Sequence, residues 1–197
     1  MIRHSISVRQ GISNSLMIVD MPYNTYNKPS QALKNCKKVM KLTKCDGVKI
    51  EGGLKKIKII KYLIKNKVPV MGHLGILPQS TKGKFKSKGR SANERKELIR
   101  DCKLLEDSGV FSIVLECVES KLARHITNLI KIPTIGIGSS NNCDGQILVI
   151  DDILGLTESK MKFVKKYANV KKIIAFGAKK FKKEVKSRKY PSQKHSY

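Results

Sequence analysis

Acidic side chains are scarce in this chain, 15 against 41 lysines and arginines, so their positions are informative. Asp20 closes the apolar run Leu16-Met17-Ile18-Val19, and Glu116 closes Phe111 to Leu115. Lys49 and Glu51 stand two apart in Gly47 to Gly53, and His73 follows Val68-Pro69-Val70-Met71-Gly72. Residues two apart in a strand share a face, so the Lys49 ammonium and the Glu51 carboxylate are expected to leave a strand on one side. Acids, a lysine and a histidine at the exits of successive buried strands are what α/β active sites are built from. Asp20 and Glu51 would suit a hard divalent cation such as Mg2+, leaving positions for water and substrate oxygens. Lys49 would neutralise a substrate carboxylate or an enolate oxygen, and Glu116, in apolar surroundings, would serve as the base. That set fits proton abstraction beside a carbonyl with the enolate stabilised electrostatically. Each residue also has a plainer reading. Lys49 and Glu51 would make a partly exposed ion pair, Asp20 would start a turn, Glu116 would be a buried acid satisfied by backbone donors, and His73 would be a structural hydrogen-bonder.

Apolar runs predict strands over Leu16–Val19, Gly47–Ile50, Val68–Met71, Phe111–Leu115, Ile132–Ile137 and Gln146–Ile150. Between them, helical spacing runs from about Ser30 (Ala32, Leu33, Cys36, Val39, Met40), from Leu54 to Asn66, from Ser91, and through Leu122, Ala123, Ile126 and Leu129. Ser91-Ala92-Asn93-Glu94 has the spacing of a capping box. Gly72 to Arg90 reads as a long loop, solvated from Lys82 on, and residues 159–187 as C-terminal helices in two pieces. Met1 to Gly11 is the end of a helix or a loose arm. Continuous apolar strands separated by crossover-length segments indicate a parallel sheet covered by helices. Both a β/α barrel and a doubly wound sheet satisfy that pattern. A complete eight-fold barrel takes about 250 residues, so 197 residues leave room for about six units in one partial domain, 1–197.

The net charge of +26 invites a nucleic-acid reading. Against it, the excess is nearly all lysine, tryptophan is absent, and aromatic residues are not interleaved with the cations as stacking platforms. Lysine is spread over every predicted helix, as biased coding composition would produce. Five cysteines never fall in a CxxC pattern, which predicts free thiols in a reducing cytoplasm. No apolar run is long enough for a membrane span, and Met1-Ile2-Arg3-His4-Ser5 lacks the features of a secretory signal.

Six ordered segments resemble the ketopantoate hydroxymethyltransferase family. They are Val19-Asp20-Met21-Pro22-Tyr23, Val48-Lys49-Ile50-Glu51-Gly52-Gly53, Pro69-Val70-Met71-Gly72-His73-Leu74-Gly75 through Pro78-Gln79-Ser80, Val114-Leu115-Glu116, Ile132-Pro133-Thr134-Ile135-Gly136-Ile137-Gly138, and Asp144-Gly145-Gln146-Ile147-Leu148-Val149. The closing Tyr190-Pro191 and His195-Ser196-Tyr197 are similar too. The resemblance implies a (β/α)8 TIM barrel of the phosphoenolpyruvate/pyruvate superfamily, assembled as a homodecamer. It implies transfer of a hydroxymethyl unit from 5,10-methylenetetrahydrofolate to 3-methyl-2-oxobutanoate, on the route to pantothenate and coenzyme A. By motif, Asp20 and Glu51 match metal-site acids for Mg2+, with Asp20 also at the substrate. Lys49 matches the substrate-binding lysine, Glu116 the proton acceptor, and His73 a pocket histidine near the substrate.

The chain departs from the family pattern in places. Two earlier strands, ending in Thr-Ala-Tyr-Asp and Gly-Asp-Ser-Leu-Gly motifs, have no counterpart here. Gly138-Ser139-Ser140 replaces a Gly-Ala-Gly, and Asp151 stands where histidine is common. The resemblance therefore covers the last six of eight barrel units. A chain of that kind is expected to be catalytically impaired alone, serving as a subunit or binding protein, or to be completed by a separate N-terminal fragment.

Overall fold

A computed structural model describes residues 1–81 and 86–197. The expected solvated loop from Lys82 therefore lies, over 82–85, outside the described residues. The chain divides into two compact units, Met1–Ile147 and Leu148–Tyr197.

The first unit alternates strands with helices. In order come α1 (Ile2–Gly11), β1 (Ile18–Asp20), α2 (Pro29–Thr43), β2 (Gly47–Glu51), a 3-10 turn (Leu54–Lys56), α3 (Ile57–Lys65) and β3 (Val70–Gly75). They are followed by α4 (Ala92–Asp107), β4 (Ser112–Glu116), α5 (Ser120–Leu129), β5 (Thr134–Ile137) and β6 (Gly145–Gln146). The local reasons are visible in the chain. Pro29 stands in the first turn of α2, where its missing N–H costs nothing. Ala32, Cys36, Val39 and Thr43 form its buried stripe. Ser91 Oγ accepts the Glu94 amide at the start of α4, and the Glu119 carboxylate accepts the Lys121 and Leu122 amides at the start of α5.

All strand pairs are parallel and the sheet order is β1-β2-β3-β4-β5-β6. A doubly wound sheet reverses its order part-way; this one never does. The winding is that of a β/α barrel, open between β1 and β6, with six parallel strands.

The helix-facing side carries the core. Val48, Ile50, Ile113 and Leu115 from the strands and Cys36, Ile60, Leu63, Cys102, Leu105 and Ile126 from the helices are wholly buried. Each large aliphatic there contributes about 1.5–3 kcal/mol. All five cysteines are free thiols.

Several boundaries differ from the sequence reading. β3 runs on through Gly75 instead of yielding to a loop at Gly72, because Gly72 and His73 pair with both β2 and β4. Gly72 is where Leu105 of α4 presses on the sheet; a Cβ there would come 2.9 Å from Leu105 Cδ1. β6 keeps only Gly145–Gln146, and the expected continuation instead turns into the short α6 (Ile150–Ile153), whose first turn is tied to the Val149 carbonyl. Residues 159–169 are irregular apart from a turn at 162–163, not the first of two tail helices; α7 (Val170–Lys186) is the helix of this stretch, capped by the Asn169 side chain on the Lys172 amide. Of the two forms expected for the N-terminus the helical one is observed, as α1 over Ile2–Gly11.

Candidate active site

Parallel partners in register share a face, and so do residues two apart in one strand. Asp20 is in register with Lys49, and Glu51 with His73. His73 is in register with Val114, two before Glu116. Asp20, Lys49, Glu51, His73 and Glu116 therefore all leave the sheet on the side opposite the helices, at the strands' C-terminal ends. The structure brings together every residue the sequence singled out for chemistry.

Contacts bind them into two groups. Lys49 Nζ lies 2.9 Å from Asp20 Oδ1, with Lys49 mostly buried and Asp20 mostly exposed. His73, only 1% exposed, stands between two carboxylates, Nε2 at 3.1 Å from Glu116 Oε2 and Nδ1 at 3.7 Å from Glu51 Oε1. The second distance is too long for a hydrogen bond and the first is poorly directed, so neither ring nitrogen has a well-formed partner. A buried histidine left in that state calls for an explanation, a catalytic role or a water or ion partner being the usual ones.

The backbone fixes the Glu51 carboxylate and the turn that follows Glu116. Gln79 N–H donates to Glu51 Oε2 at 3.2 Å, and its side-chain amide donates to the Met21 carbonyl at 2.9 Å. Burial raises the Glu51 carboxyl above its ordinary range, opposed by His73, the Gln79 amide and Lys49. Beyond Glu116 the chain turns through Cys117 at φ 51°. Ser139 Oγ pins both sides of that turn, donating to the Leu115 carbonyl at 2.7 Å and accepting the Val118 amide at 3.0 Å. Gly75 is obligatory beside it: at φ 97° a Cβ would collide with the Glu116 carbonyl oxygen.

Sequence reasoning missed Ser139, Gln79 and Tyr26 as parts of the site. Tyr26 O–H donates to Gln79 Oε1 at 2.8 Å across 53 residues of chain. Gln79 lies inside one of the recognisable motifs and Ser139 directly after another, whereas no pattern in the sequence singles out Tyr26.

The family model for ketopantoate hydroxymethyltransferase matches residues 1–193. The chain belongs to that family. The Pelagibacter ubique protein named 3-methyl-2-oxobutanoate hydroxymethyltransferase is 61% identical over the whole chain, which spans 76% of that relative's length. Proteins of the same name from Clostridium botulinum (strain Alaska E43) and Pyrobaculum aerophilum are 46% and 43% identical, over 100% and 99% of this chain and 73% and 75% of theirs. By family, then, this is a hydroxymethyltransferase, an enzyme of one-carbon transfer.

The family reading raises the question of a metal. Among the described residues no three histidine, cysteine or acidic side chains cluster as a metal site. Mg2+ is nonetheless commonly held by one or two carboxylates, with water and substrate oxygens filling the octahedron. Asp20 and Glu51, on one face of adjacent strands, fit that requirement.

Proposed function

We propose that this chain makes ketopantoate from 3-methyl-2-oxobutanoate and 5,10-methylenetetrahydrofolate through an enolate, in the cytoplasm. The observation that carries the reading is the single-faced alignment of Asp20, Lys49, Glu51, His73 and Glu116 at the strand ends. The Glu116 carboxylate removes the C3 proton of the 2-oxo acid. His73, whose Nε2 lies 3.1 Å from Glu116 Oε2, stands beside that carboxylate on the same face. Lys49, released from Asp20, pairs with the substrate carboxylate and the developing enolate oxygen. Water cleaves the two carbon–nitrogen bonds of the methylene bridge, releasing tetrahydrofolate with both nitrogens protonated, and the C3 carbanion adds to the freed one-carbon aldehyde, whose oxygen takes up a proton to become the hydroxymethyl group. Mg2+ bound by Asp20 and Glu51 would supply Lewis-acid stabilisation of the enolate.

The test is proton exchange. The purified chain is incubated with 3-methyl-2-oxobutanoate and Mg2+ in D2O without folate, and loss of the C3 proton signal is followed by NMR. Exchange above the buffer rate is expected, and its absence in the wild-type chain would refute the enolate reading.

A second reading is favoured by the sheet edges, since β1 and β6 each have one strand neighbour. Unpaired parallel edges invite further strands. In this reading a partner polypeptide or a homo-oligomer completes the site, and the chain alone serves as its subunit. Robust ketopantoate formation by the monomeric chain, its mass checked by light scattering, would remove that alternative.

A further inference from the structure

The chain leaves β4 at Glu116 through a tight turn. Cys117 there is left-handed, at φ 51°, a conformation unfavourable for a residue with a side chain. Such a turn persists only where its surroundings over-determine it. Three backbone segments contribute. Cys117 N–H donates to the Ile137 carbonyl at 2.8 Å, and Ile76 N–H to the Glu116 carbonyl at 2.9 Å. Lys88 N–H donates to the Cys117 carbonyl at 2.9 Å, and the Lys88 carbonyl accepts the Glu119 amide at 2.8 Å.

The fourth contribution is a side chain. Gly138, at φ 62°, turns the chain after β5, and Ser139 follows it. The Ser139 hydroxyl donates to the Leu115 carbonyl and accepts the Val118 amide, so its donor and one of its lone pairs are both engaged. Glu116 lies inside that bracket. Leu115 and Val118 are buried, where an amide deprived of its acceptor is strongly disfavoured. Ser139 makes no other hydrogen bond among the described residues, so it acts on Glu116 only through the backbone. It also replaces the alanine of the resembling family segment, so the bracket is no part of the motif on which the resemblance rests.

We propose that Ser139 is a positioning residue for the base: its hydroxyl fixes the turn from Leu115 to Val118 and thereby the direction in which the Glu116 carboxylate leaves the strand. The assignment rests on the function proposed above and adds to it a residue that sets the rate of proton removal without touching the substrate.

The test follows C3 exchange per folded molecule in the wild-type chain, Ser139→Ala and Ser139→Thr, over a range of 2-oxo acid concentrations. Misplacing a reacting group by about 1 Å costs up to about 10²-fold. The alanine variant is therefore expected to lose about five- to fiftyfold in maximal rate, with the half-saturating concentration within about twofold of wild type. Threonine retains the hydroxyl and should recover most of the rate. A second readout follows the turn itself. Of the five cysteines only Cys117 is partly exposed. Burial, and after it the Glu116 charge, raises its thiol above the ordinary value, so iodoacetamide should alkylate it slowly while the turn holds. In the alanine variant alkylation should quicken severalfold at Cys117 alone, as located by peptide mass.

Slower exchange with faster labelling confined to Cys117, both reversed by threonine, supports the assignment. Unchanged exchange in the alanine variant, a loss that threonine leaves in place, or labelling of all five thiols overturns it while the base reading stands. A wild-type chain without exchange removes the base and this assignment together.

Discussion

The two faces of the one sheet differ residue by residue. Toward the helices point Val48, Ile50, Leu74, Ile113 and Leu115, none more than 3% exposed. On the other face lie Lys49, Met71, Glu116, Ile135 and Ile137, all only partly buried, together with the orphaned His73. Side chains alternate along a strand, so Ile50 packs a core while Glu51 beside it is held for chemistry, and Leu115 and Glu116 divide in the same way. One face should answer to substitution in stability and the other in activity. The sharpest attempt to break that division is Glu116→Gln. Loss of the base should lower C3 exchange by about 10²- to 10⁴-fold, with little change in the thermal melt, since the side chain is partly exposed. A large drop in melting temperature would make Glu116 a structural acid.

The reciprocal change is Ile113→Ala, three residues away on the helix side and wholly buried. Removing its methyl groups leaves a cavity against α4 and should cost about 2–5 kcal/mol in urea denaturation. Exchange per folded molecule should stay within a factor of two or three.

Glu51 sharpens the comparison through pH. Its carboxyl is raised in the folded chain, chiefly by burial, so the native state binds a proton more readily than the unfolded chain. The stability that this contributes is present below the unfolded pKa and is lost as pH rises through the raised folded value. Glu51→Gln cannot ionise. In EDTA, the melting temperature of the variant relative to wild type should therefore climb as pH rises from the ordinary glutamate range through that window, then level off. A difference that stays flat with pH would mean that the carboxylate is fully satisfied where it sits. Ile113→Ala should show no such slope.

Much of this molecule was legible in the chain because period and chemistry agreed. Apolar runs ending in Asp20, Glu51 and Glu116 identified strands and site together, and the register then had only one way to bring the acids to one face. What was not legible depended on partners distant in sequence. His73 sits inside a strand, and only the pairing of β3 with both neighbours shows why Gly72 does not end it. The Tyr26–Gln79 link joins two loops with no shared periodicity. In the second unit, Met161, Val164 and Tyr167 repeat at helical spacing over barely two turns, yet the chain there is irregular apart from a turn at 162–163, and the helix begins only after Asn169. A short apolar repeat without a cap is weak evidence for a helix. In α7 itself, Ile173, Phe176 and Phe181 are each more than half exposed, so the stripe that reads as a buried face in sequence is not buried within this chain.

The smallest effect tests whether capping, rather than packing, sets where α4 begins. Ser91 Oγ accepts the Glu94 amide at 3.2 Å, as the Ser-Ala-Asn-Glu spacing predicts. The reciprocal half is displaced: Glu94 Oε2 accepts the Gly89 and Arg90 amides, at 3.0 and 3.2 Å, instead of the Ser91 amide. The box thus reaches one turn further back and ties the start of α4 to the segment beside Gly89, where a Cβ would strike Leu122 of α5. Ser91→Ala removes one accepted amide and should cost about 1 kcal/mol. Because Glu94 continues to hold the two preceding amides, the loss should fall at the low end of that range and leave exchange at Glu116 unchanged. Denaturation midpoints for Ser91→Ala, Glu94→Gln and the double variant measure the coupling. If the double variant loses the full sum of the two singles, the serine and the glutamate act as independent caps; a loss short of that sum makes them one motif.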